Sequence, residues 1–78
     1  MPLDFQPHTE RLPHQRLSAR EYQVLCMLAS RKTVSEVAEE MRLSVKTIST
    51  YRSRVLAKMG MRSNEDLAMY AAGNGLIS

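Results

Sequence analysis

Polar capping signals recur along this chain at intervals that leave room only for short helices. Ser18 stands three residues before Glu21, and Thr33 three before Glu36. At that spacing a hydroxyl takes the N3 backbone N–H while the carboxylate returns to the N–H of the cap itself. Ser44 precedes a further helical run, and Ser63 with Asp66 repeats the box with Asp in place of Glu or Gln. Between these starts the apolar residues keep helical spacing. The first segment carries Tyr22, Val24, Leu25, Leu28 and Ala29 to about Ser30, and the second carries Val34, Val37, Ala38 and Met41. The third runs from Ser44 to Met59, where Gly60 supplies a left-handed stop. The fourth extends from Asn64 to about Asn74 with Leu67, Tyr70 and Ala71 on its core face, and Gly75 ends it so that Leu76 and Ile77 fold back. No segment alternates with period two. The fold class is therefore all-α: a compact four-helix domain over residues 17–78 with a central helix-turn-helix.

The central turn is short. Only Arg42, Leu43 and Ser44 separate the second helix from the third, which suits a sharp crossing rather than an antiparallel bundle. The Gly common in such turns is missing, and Leu43 supplies an apolar anchor instead.

With 78 residues the chain makes one domain at most, and a domain of that size buries only about 60% of its unfolded surface. One Phe and three Tyr in a 44% apolar composition favour an aliphatic core over a large pocket. All three prolines, Pro2, Pro7 and Pro13, fall in the first thirteen residues, so residues 1–16 read as a flexible tail or interdomain linker. His8 and His14 lie in it with no Cys or carboxylate cluster to complete a site, and neither a metal nor another cofactor is expected. No paired His and carboxylate, nucleophile with a base nearby, or phosphate-binding Gly loop is present, which sets an enzyme aside. Cys26 is the one cysteine. It forms no internal disulfide, reads as a packed small hydrophobe, and fits a reducing cytoplasm. No apolar run approaches the ~20 residues that span a bilayer, so no membrane partner is expected.

Charge separates function from scaffold. From Arg42 to Arg62 the chain carries Arg42, Lys46, Arg52, Arg54, Lys58 and Arg62 and no acid; with a whole-chain charge of +3, the remaining residues sum to −3. At 100° per residue, Ile48, Val55 and Met59 form the apolar stripe of the third helix, with Val45 and Leu56 on one flank and Tyr51 on the other. Lys46, Ser49, Thr50, Ser53, Arg54 and Ala57 lie opposite, and Thr47 and Lys58 occupy one shoulder. Short side chains along the middle let a helix approach base edges, while cations at the border reach phosphates. A solubilising face would intersperse both charge signs. Arg52 lies only about 40° from the stripe. Its guanidinium either pairs with Glu21 on the first helix or snorkels outward to a phosphate.

The segments Leu17-Ser18-Ala19-Arg20-Glu21 with Val24-Leu25, Val34-Ser35-Glu36-Val37-Ala38, Leu43-Ser44-Val45-Lys46-Thr47-Ile48 and Lys58-Met59-Gly60 resemble, in register, the LuxR-type helix-turn-helix family over roughly residues 16–78. This is the DNA-binding output domain of many bacterial two-component response regulators. The Ser49-Thr50-Tyr51-Arg52 run is similar to that branch rather than the quorum-sensing one. The resemblance implies that Lys46 and Thr47 touch phosphate and that Ser49, Thr50 and Ser53 face bases. Tyr51 stands where relatives have His, with a hydroxyl able to donate to phosphate. Ser49 and Ser53 stand where relatives often have Lys, so the operator does not transfer from them. Arg31 replaces a usual Gly, which predicts a looser first turn.

On the fourth helix Ala68, Met69 and Ala72 lie away from the core face, and small residues around one Met allow two copies to cross closely. The resemblance implies dimerisation there, a weak homodimer on double-stranded DNA. It also implies an upstream receiver domain in a longer protein, the chain itself being either a fragment or a stand-alone regulator. The competing function is a helical protein-interaction module whose basic face binds anions.

Overall fold

The computed structural model describes residues 13–77. The first twelve residues of the expected tail, His8 among them, lie outside the described residues. Among the described residues there are four α-helices and no strand: α1 (Ala19–Ala29), α2 (Val34–Met41), α3 (Val45–Met59) and α4 (Asn64–Gly73), preceded by a 3₁₀ turn at Pro13–Arg16. No described helix is long and apolar enough to cross a membrane.

Each helix starts where its hydroxyl cap sits. Ser18 and Thr33 form complete capping boxes, their side chains accepting from the Glu21 and Glu36 N–H while those carboxylates accept from the cap N–H. The Ser63 box is half formed. Ser63 Oγ accepts from the Asp66 N–H at 3.2 Å, but the shorter Asp66 side chain accepts from the Arg62 N–H instead.

All four helices end in the same way, in a left-handed residue flanked by two backbone bonds that tie the next turn down. At Gly60 (φ 68°) these bonds run from the Gly60 N–H to Ala57 O and from the Met61 N–H to Leu56 O. At Gly75 (φ 69°) they run to Ala72 O and, from Leu76, to Ala71 O. Arg31 (φ 72°) and Arg42 (φ 58°) close α1 and α2 with the same pattern. The expected looser turn at Arg31 is therefore corrected. Arg31 bonds to Leu28 O at 3.0 Å, Lys32 bonds to Met27 O at 3.3 Å, and the turn is as tight as at glycine. A side chain in this conformation costs roughly 1–2 kcal/mol; at Arg42 packing offsets it, since the following Leu43 rests against the core, as Met61 and Leu76 do after the two glycines.

That core is aliphatic. Val24, Leu25 and Leu28 of α1 meet Val37 and Ala38 of α2, Ile48, Val55 and Met59 of α3, and Leu67 of α4. Helix α1 lies at the centre, packed on both α3 and α4, while α2 packs chiefly on α3. The three apolar positions that periodicity assigns to the inside of α3 are all buried. Cys26 on α1 is half-buried and carries no disulfide.

The packed unit begins earlier than residue 17. Residues 13–16, expected within the tail, form the 3₁₀ turn and pack on α3. His14 Nδ1 shares a 2.7 Å hydrogen bond with the Tyr70 hydroxyl, and its ring also lies 6.0 Å from that of Tyr22. The half-buried Tyr70 hydroxyl needs a polar partner, and His14 reaches it across 56 positions of sequence.

Candidate nucleic-acid interface

Helix α3 is built to hold one face inward and leave the other clear. Its cap, Ser44, accepts from the Thr47 N–H at 3.1 Å and donates to Thr47 Oγ1 at 2.9 Å, fixing the first turn. Ile48, Val55 and Met59 anchor the inner stripe. On the outside Lys46, Ser49, Thr50, Ser53, Arg54 and Lys58 are exposed, whereas Thr47 and Tyr51 are half-buried. The side chains of Lys46 and Arg54 make no ion pair among the described residues, so their charge is available. Thr50 differs from its neighbours. Its hydroxyl donates back to Lys46 O at 3.1 Å, leaving its methyl and acceptor lone pairs outward.

The polar ties of α3 to the other helices correct the expectation for Arg52. Its Nε donates to Asn64 Oδ1 at 2.7 Å, at the first residue of α4, and it does not pair with Glu21. Glu21 instead accepts from Lys58 Nζ at 2.8 Å. The reason is axial position. Arg52 and Lys58 are six residues apart, about 9 Å along the helix, and it is Lys58, in the final turn of α3, that reaches Glu21 in the first turn of α1. The alternation of apolar and polar residues carries no signal for Asn64. An amide at a helix start beside a flanking Arg is the only hint the sequence offers.

Glu21 is the one buried charged residue among those described, 3% exposed. The Lys58 hydrogen bond first, then the Ser18 N–H, hold its carboxyl below its ordinary pKa against the opposing effect of burial. A depressed folded-state pKa stabilises above the unfolded value, about 4.3, and that contribution disappears as pH falls through the folded pKa. Glu21→Gln is therefore expected to flatten the loss of melting temperature between pH 5 and pH 2; an unchanged acid limb would remove this pair from the account of stability.

Away from α3, the three fourth-helix residues occupy one surface: Met69 is 75% exposed, Ala72 is exposed and Ala68 is half-buried. They line a shallow groove with Ala29, Arg31, Glu65 and Ile77.

A three-residue turn joining two helices packed on one another, the second with a basic outward face, defines a helix-turn-helix DNA-binding domain of a transcription regulator. Sequence comparison agrees in detail. The family described as Bacterial regulatory proteins, luxR family, matches residues 15–71, and the chain belongs to this family. It is similar to the Transcriptional regulatory protein LiaR of Bacillus subtilis, 36% identical over 67 residues that cover 86% of this chain and 32% of that protein. It is also similar to the Response regulator GacA of Pseudomonas aeruginosa, 36% identical over 73 residues, and to the Response regulator UvrY of Escherichia coli, 32% identical over 73 residues; each match covers 94% of this chain and 34% of the relative. The chain thus spans about a third of the length of these curated relatives.

Proposed function

We propose that α3 lies in the major groove of double-stranded DNA and that this chain acts as the sequence-specific output domain of a cytoplasmic transcription regulator. The observation that carries this reading is the outward face of α3, where Lys46, Ser49, Thr50, Ser53 and Arg54 are exposed together in a stretch without an acid. In this reading Lys46 and Arg54 neutralise phosphates, and Thr47 and Tyr51 add hydroxyl contacts at the border. Ser49, Thr50 and Ser53 face base edges, with Thr50 acting through its methyl and lone pairs. Lys58 shares its ammonium between Glu21 and the backbone of the DNA, so its first duty is to position α3. Family membership favours DNA over an anion-binding protein module.

Selection of bound duplexes from random DNA tests the reading directly. Ser53→Ala should relax preference at one or two base positions and leave the salt dependence nearly unchanged. A changed salt slope with intact preference would move Ser53 to the phosphate backbone.

In a full-length regulator, an upstream receiver domain joined through the segment before residue 13 supplies most of the dimer strength. The surface around Ala68, Met69 and Ala72 is too small for the ~1,000 Å² of a stable interface, yet two domains on adjacent half-sites meet at high local concentration. Met69→Glu should keep single-site binding and abolish cooperativity on paired sites about one helical turn apart. Retained cooperativity would place the dimer contact on another surface.

A further inference from the structure

Helix α3 opens with a side chain that neither the core nor the cation pattern uses. Val45 occupies its first position and is 49% exposed; among the described residues, Met69 is the only other large apolar side chain left exposed. A solitary surface valine is ordinary, but the neighbours of this one are not. Residues 45, 49 and 53 are spaced by four and form one ridge along the helix, and Val45, Ser49 and Ser53 are all exposed. Lys46, Thr50 and Arg54 form the next ridge and are exposed as well. Val45 is therefore the leading, apolar member of a row of short side chains bordered by cations. Its position is fixed, because the Ser44 cap bonds to Thr47 hold the first turn and a β-branched side chain in a helix has essentially one rotamer.

We propose that Val45 reads the C5 methyl group of a thymine and so sets part of the sequence preference of this domain. The inference rests on the placement of α3 in the major groove proposed above. There the thymine methyl is the one apolar group a base pair presents, and the first residues of a recognition helix lie nearest the base edges. A valine neither donates nor accepts a hydrogen bond, so it discriminates by covering that methyl. One methyl group taken out of water changes affinity about fourfold.

The test uses the full chain and a duplex obtained by selection, with each thymine replaced in turn by uracil. Uracil keeps the base pair and lacks only the methyl group. Wild-type protein should lose about three- to fivefold in affinity at one thymine per half-site. Val45→Ala should bind the thymine duplex correspondingly more weakly, be indifferent to uracil at that position, and keep its response at every other thymine. Lys46→Ala, which removes a phosphate contact, should weaken binding to all duplexes while preserving the uracil effect. Identical uracil profiles for wild type and Val45→Ala overturn the assignment of Val45 alone, leaving the groove placement standing. Failure to enrich any duplex overturns both. A melting curve for Val45→Ala close to that of wild type, as its half-exposed site requires, and retained discrimination in Val45→Thr, which keeps one methyl, separate loss of readout from loss of fold.

Discussion

Affinity of this chain for duplex DNA is expected to fall about 150-fold between 50 and 200 mM monovalent salt, if about four phosphates are neutralised and each contributes close to −0.9 to the slope of log K against log salt. Lys46 and Arg54 are the first contributors, because both are exposed and neither has an ion pair to give up among the described residues. Replacing either by Ala should flatten the slope by about one unit with little change of preferred sequence. Lys58→Ala should flatten it less, since the ammonium already rests on Glu21, and should lower the melting temperature as well. Hydrogen bonds to charged groups are worth roughly 1.5–3 kcal/mol. The 44% exposure of the Lys58 side chain places its contribution toward the low end of that range. Binding titrations across four salt concentrations give the slopes. A flat response would contradict phosphate neutralisation and favour a protein-binding role for the basic face.

The second large effect concerns the core. Leu28→Ala is expected to cost roughly 2–5 kcal/mol, the transfer free energy of the lost atoms plus the cavity left behind. Leu28 is 2% exposed and lies on α1, the helix that packs on both α3 and α4. A domain of this size holds on the order of 4–10 kcal/mol in total. The substitution therefore removes a large part of the folding free energy and should leave much of the population unfolded near body temperature. Val55→Ala, from the opposite wall, should act in the same direction with a smaller loss. Circular dichroism melting of both variants checks this. Unchanged curves in the two would mean that α1 and α3 do not share one core.

The aliphatic core and the basic outward face of α3 depend on each other. Burial of Ile48, Val55 and Met59 fixes the rotation of α3 about its axis, and that rotation alone determines that Lys46, Ser49, Thr50, Ser53 and Arg54 point outward together. Restraints along its length complete the placement: the Ser44 cap at the start, Arg52 on Asn64 in the middle and Lys58 on Glu21 in the last turn.

How much of this was legible in sequence follows from the range of each interaction. Helix starts at Ser18, Thr33, Ser44 and Ser63 were readable because a cap and its N–H lie three residues apart, and the stop at Gly60 because its conformation is a property of one residue. The inner stripe of α3 was readable because a helix repeats every 3.6 residues wherever it is placed. Arg31 and Arg42 were not recognised as helix stops, since their own preferences oppose the left-handed form; at Arg42 the packing of the following Leu43, a long-range contact, supports it. The partners of Arg52, Lys58 and His14 lie 12, 37 and 56 positions away. Which of several cations meets a buried carboxylate depends on where two helices cross. That crossing is set by the fit of the whole core, a long-range property that no local pattern encodes.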